Sequence, residues 1–306
     1  MNGQNMLEGI WEPLLPILLA LAPLPKAANF DVLALASAAV VKALPAACPD
    51  DMALVDGEFC PAVAYQCERF VGDGSPSCAE YAKKPECRHN VVSKRFCVDL
   101  HEWPNQVGER PKVFVSWFDA QSLCESRGKR LCQRSEWTLA CEGPKRAPYP
   151  YGWRRQPSPC NVSRAPIPFE VDDLTNPRTR ARELERLWQG DPIGSHPNCV
   201  SAYGVFDMVG NVDEWTDNRE ESRQHVSTLN GGYWGPVRNT CRLTTKTHGP
   251  DFQFYQIGFR CCSDPRDGLV APLPPERSGA SELEQRAGPA GWPVPLAEER
   301  VAPDGA

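Results

Sequence analysis

The sequence predicts an irregular α+β domain held together by disulfides. Three observations carry this. Periodic apolar stretches are few and short. Gly and Pro are frequent, 23 and 31 in 306 residues, so turns outnumber long elements. All 14 cysteines lie between Cys48 and Cys262. An even set at this density fits disulfides in an exported domain. The rival, a zinc site, would want close Cys-x-x-Cys pairs, and none occurs. Hydrophobic residues make up 41% and charged residues 24%, a globular composition. A net charge of −6 with no large basic patch excludes nucleic acid as the main partner. No uninterrupted apolar run reaches the roughly 18 residues of a membrane-spanning helix.

Residues 1–47 read as an export leader or a disordered segment. Apolar runs end in Pro45-Ala46-Ala47-Cys48, with small residues where a signal peptidase cuts. The basic start of a signal peptide is missing, since Glu8 and Glu12 precede the first cation, Lys26. Cys48 after two alanines also resembles a lipoprotein anchor. Residues 48–96 hold five cysteines and little periodicity, and read as a loop-rich, disulfide-stapled extension. Residues 97–264 carry seven of the nine Trp and form the expected core domain.

Within it, Val115 to Trp117 reads as a strand and Phe118 to Cys124 as a helix, N-capped by Ser116 and stopped by Gly128. Ser135 to Cys141 reads as a second helix ended by Gly143-Pro144, and Arg180 to Trp188 as a third. Residues 265–306 are rich in Pro and Gly and lack Cys, so they read as a disordered tail. The five His show no metal-binding spacing, and His248 is either a pocket residue or a loop residue. Asn161-Val162-Ser163 is a glycosylation sequon.

An ordered set of short motifs then narrows the class. It comprises Val115-Ser116-Trp117 with Ala120, Gly128-Lys129-Arg130-Leu131, Glu136-Trp137 and Tyr151-Gly152. Gly204 to Thr216, Gly231-Gly232 with Trp234, and Ile257-Gly258-Phe259-Arg260-Cys261 complete it. Over about residues 97–262 the sequence resembles the formylglycine-generating enzyme family, also called the sulfatase-modifying factor domain. The resemblance implies a variant of the C-type lectin-like fold with little regular secondary structure. It also implies an oxidoreductase that converts a sulfatase cysteine to formylglycine with oxygen and one copper ion.

Copper in that family is held by two cysteines after the Gly-Gly turn, and thiolates suit Cu(I). Here the first position is Pro236 and the second, counted forward, is Cys241. Counted back from Cys261, Cys241 falls instead within one residue of a structural cysteine of the family. By resemblance, Cys124 pairs with Cys261 and Cys141 with Cys241, which would leave no thiol for copper. The family's calcium turn carries over to Asp207 and Glu214 as carboxylate ligands and Gly210 and Val212 as carbonyl ligands, a donor set that suits Ca2+. Its second calcium site, near Asn161-Val162, is not recognisable, and neither is the His-rich iron domain of its oxygen-using relatives. Three functions remain open: an exported, monomeric, calcium-stabilised module that binds a peptide, glycan or small molecule, an active oxidoreductase with Cys241 as its catalytic thiol, or a purely structural surface protein for which the disulfides suffice.

Overall fold

The computed structural model describes residues 46–72 and 77–266. The expected leader and tail fall almost wholly outside those residues. In chain order the elements are β1 (Met52–Phe59), β2 (Val63–Ala64), β3 (Cys67–Phe70), β4 (Cys78–Tyr81), β5 (Glu86–Cys87) and β6 (Val92–Asp99). Then come α1 (Trp117–Glu125), β7 (Arg130–Leu131), α2 (Arg134–Glu142), α3 (Val171–Thr175) and α4 (Arg180–Leu187). The last are β8 (Asp213–Asp217), β9 (Ser227–Asn230), β10 (Thr244–Thr245), β11 (Ile257–Phe259) and β12 (Cys261–Ser263).

Two four-stranded sheets organise the domain. The first has the order β1-β6-β12-β7, and the second β10-β9-β8-β11 with β11 parallel to β8. The α+β class with little regular structure therefore holds. Residues 48–96 are not the loop-rich extension that was expected. β1 pairs with β6 along its whole length, from Met52 opposite Asp99 to Phe59 opposite Val92. Ala53, Val55 and Phe59 alternate inward against Phe96, Val98, Trp137 and Leu139. That two-residue alternation is what puts one face of a strand in the core.

The helices obey local signals. Ser116 caps α1: its hydroxyl accepts from the Asp119 amide (3.0 Å), and Asp119 Oδ2 accepts from the Ser116 amide (2.9 Å). This reciprocal box satisfies two otherwise orphaned donors. The expected strand at Val115 to Trp117 is absent, because Trp117 already lies in the helix. Gly143 ends α2 as expected.

Cys261 and Cys262 are neighbours on β12, so their side chains leave on opposite faces. Cys261 joins Cys124 of α1, and Cys262 joins Cys132 just before α2. The remaining bonds are Cys48–Cys97, Cys60–Cys87, Cys67–Cys78, Cys141–Cys241 and Cys160–Cys199. All 14 sulfurs are thereby consumed, which leaves none for zinc.

Candidate functional site

Two turns lie side by side. One runs from Asp207 to Trp215, the other from Gly231 to Cys241. They touch through the Gly210 amide, which donates to the Gly231 carbonyl (3.2 Å), and the Trp234 amide, which donates to the Asn211 carbonyl (3.1 Å). Gly231 and Gly232 have φ of +88° and +69°. A Cβ on Gly232 would meet the Val237 carbonyl oxygen at 2.0 Å, so only glycine closes this turn.

The second turn is where copper thiolates would sit. Its residues do not fit the metal. Pro236 offers no donor and is exposed. The Cys241 sulfur is fully buried and bonded to Cys141, with Cα atoms 5.5 Å apart. The pairings Cys124–Cys261 and Cys141–Cys241 are those the resemblance implied. A polar network occupies this end of the domain. Arg238 Nη2 donates to Asp213 Oδ2 (2.5 Å), and burial pushes the Asp213 carboxyl up to about 6. Thr216 Oγ1 lies 2.7 Å from Thr228 Oγ1, and both hydroxyls reach Asn230 Oδ1. His248 is a loop residue stacked on Phe252, with ring centroids 4.0 Å apart.

The first turn rests on buried charge. Glu214 accepts from Arg260 Nε (2.8 Å), Arg260 Nη2 (2.7 Å) and Trp137 Nε1 (2.7 Å). Arg260 and Glu214 are 0% and 1% exposed. Glu102, also fully buried, accepts from the Val212 amide (3.1 Å) and from Asn211 Nδ2 (2.8 Å). Asp207 is buried with φ of +53°, and its Oδ1 has no partner. Three carboxylates thus face one guanidinium. Burial, followed by repulsion from Asp207 and Glu214, pushes Glu102 well above the usual carboxylate range. Burial pushes Asp207 up to about 6. The deficit of positive charge and the orphaned Asp207 oxygen fit a divalent cation. The donor set differs from expectation in one respect: Glu214 spends its carboxylate on Arg260 and Trp137. A calcium ion here would draw on Asp207 and the carbonyls of Gly210 and Val212. Among the described residues, no group of three or more His, Cys, Asp or Glu is arranged as a metal centre.

Sequence reasoning missed Glu102, Arg238 and the Asp213 pair, since each acts across long separations. Asn161 of the sequon is 3% exposed. Its amide donates to Gln189 O (3.0 Å) and Asn211 Oδ1 (3.2 Å), so it is a structural brace rather than an accessible glycan acceptor.

The model of the sulfatase-modifying factor enzyme 1-like domain matches residues 76–265, and the chain belongs to that family. It is 34% identical over 164 residues to the inactive C-alpha-formylglycine-generating enzyme 2 of Bos taurus, covering 51% of this chain and 50% of that protein. It is 28% identical over 177 residues to the formylglycine-generating enzyme of Mus musculus, covering 50% and 44%. The chain spans about half the length of the curated relatives it matches. The crystal structure of CarF superposes with a TM-score of 0.45 at 17% identity, covering 71% of this chain and 98% of that one.

Proposed function

We propose that this chain is a non-catalytic member of the family: an exported, disulfide-framed, calcium-stabilised domain that binds a peptide, glycan or small molecule. The observation that carries the reading is the state of Cys241. Its sulfur is bonded to Cys141 and the partner position is Pro236, so two thiolates do not converge. Cu(I) held by one or no sulfur lacks the soft pair that the reaction class needs. The similarity to a bovine protein named as inactive supports the same reading. Seven disulfides support export, because a reducing compartment would oppose them.

The test is incubation of copper-loaded protein with a Cys-x-Pro-x-Arg peptide in air, followed by mass spectrometry. The expected result is no aldehyde product. Turnover lost in Cys241→Ala would show that the disulfide opens to a working thiol and would overturn the proposal. Turnover that survives Cys241→Ala would place catalysis elsewhere and overturn it equally.

A further inference from the structure

Away from both turns, the loop after α2 forms two adjoining clefts. The first, about 500 Å3, is walled by Pro144, Pro150, Tyr151, Trp153, Asn198 and Ser201. The second, about 590 Å3, is walled by Lys83, Pro85, Lys145, Arg146 and Trp153. They share Pro144, Lys145 and Trp153. Such volumes suit a small ligand; the first wall is mostly apolar, whereas Lys83, Lys145 and Arg146 make the second strongly cationic.

The charge here is one-sided. Lys83 and Lys145 are exposed, and neither they nor Arg146 form an ion pair among the described residues. Arg146 Nε is buried without a hydrogen-bond partner. The carboxylate in the first wall, Glu142, is already held by Arg242 at 2.5 and 2.6 Å. Unpaired cations beside a neutralised acid call for an anion. The half-buried Trp153 supplies a flat, electron-rich face. That face suits the weakly positive C–H groups of a sugar ring. Asn198 and Ser201 offer polar groups to hydroxyls.

Strand addition by a peptide would need free backbone groups, and several on this stretch are taken. Tyr149 and Gly152 exchange both of their hydrogen bonds (3.2 and 3.0 Å). The Trp153 carbonyl accepts from the Tyr81 amide (3.0 Å), and the Arg155 amide donates to Ala79 O (2.9 Å). No strand addition is available on that stretch.

We propose that the two clefts are one site for an anionic carbohydrate, stacked on Trp153 with its carboxylate or sulfate groups on Lys83, Lys145 and Arg146. This rests on the reading of the chain as a binding domain. If no sugar binds, the peptide-oxidation result still stands, so the two ideas fail separately.

The experiment is calorimetric titration of the full chain with four probes. These are a heparin-derived tetrasaccharide, its fully desulfated form, neutral maltotetraose and hexaglutamate. At least one anionic sugar should bind at least tenfold more tightly than maltotetraose or hexaglutamate, and more weakly as salt rises. The desulfated arm tells whether carboxylate alone suffices. Lys83→Ala with Lys145→Ala should cost at least tenfold and flatten the salt dependence without moving the melting temperature. Trp153→Ala should cost at least tenfold, while Trp153→Tyr retains most of the affinity. Absence of binding by both anionic sugars at millimolar concentration overturns the proposal, as does equal binding of maltotetraose. Hexaglutamate binding that needs the lysines but not Trp153 would make this a peptide site and overturn it too.

Discussion

The two neighbouring turns are held by different means. The Asp207 to Trp215 turn is anchored by the buried Arg260–Glu214 pair, with one Asp207 oxygen left without a partner. The Gly231 to Cys241 turn is closed by its two glycines and carries a proline at 236 and a disulfide-bonded sulfur at 241. Glycines there answer a steric demand that persists whatever the function. Copper thiolates answer only a catalytic demand, and an exposed position such as Pro236 adds little to stability. The first turn is held by desolvated charge, the second by its shape, one disulfide and the Arg238–Asp213 pair that ties it to the first.

The comparison predicts its largest effect at Glu214. Glu214→Ala would leave Arg260 buried without its counter-charge, and breaking such a pair costs about 3–5 kcal/mol. Urea unfolding measures it, and a loss below about 1 kcal/mol would show that water reaches the cluster.

Calcium comes next. At a hundredfold excess over Kd it should stabilise the fold by about 2.7 kcal/mol. Asp207→Asn should abolish the increment while tolerating the left-handed backbone, which Asn accepts. Equal melting temperatures in chelator and in excess calcium would remove the ion from the account.

His101 provides a smaller, pH-dependent test. Burial, then the charge of Arg260, pushes its imidazole down to about 4, against an ordinary 6.5. The fold prefers the neutral ring. That contribution is complete above about pH 6.5 and is lost as the pH falls towards 4. Asp207, pushed up to about 6, acts in the opposite sense, so the comparison must be with a variant rather than across pH alone. His101→Phe keeps the stacking on Phe206, whose ring centroid lies 4.8 Å away. It should flatten the acid slope by about 1–3 kcal/mol between those limits. An identical slope in the variant would assign the acid loss to other groups.

The smallest effect is expected at Pro236. Pro236→Cys should change stability by no more than about 0.5 kcal/mol, as for most exposed positions. Labelling of the denatured, unreduced variant should find one thiol where the parent has none. A stability loss above about 1 kcal/mol would mean that the second turn is held as tightly as the first.

Much of this was legible beforehand, and what was missed shares a cause. The helix over Trp117–Glu125 could be read because its cap and stop, Ser116 and Gly128, act within a turn of chain. The helix over Arg180–Leu187 was also read to within a residue, without a side-chain cap at Thr179. β1 was overlooked although Ala53, Val55 and Phe59 alternate, because Gly57 and the flanking acids resemble a loop. The Gly204 to Thr216 motif was legible, but nothing in it announced that Glu214 would be claimed by Arg260, 46 residues on, and by Trp137, 77 residues back.

By itself, the sequence determined the disulfide-rich α+β class, the family motifs and the proline at position 236, where the resemblance would place a copper thiolate. Each is written in residue identity and short spacing. Tertiary structure alone decided which of the remaining sulfurs meet, that Glu102 and Asp207 share a dry cluster with one guanidinium, and that Lys83 comes beside Trp153. Those facts depend on segments far apart in sequence, brought together by burial and sheet pairing, and no local propensity encodes that meeting.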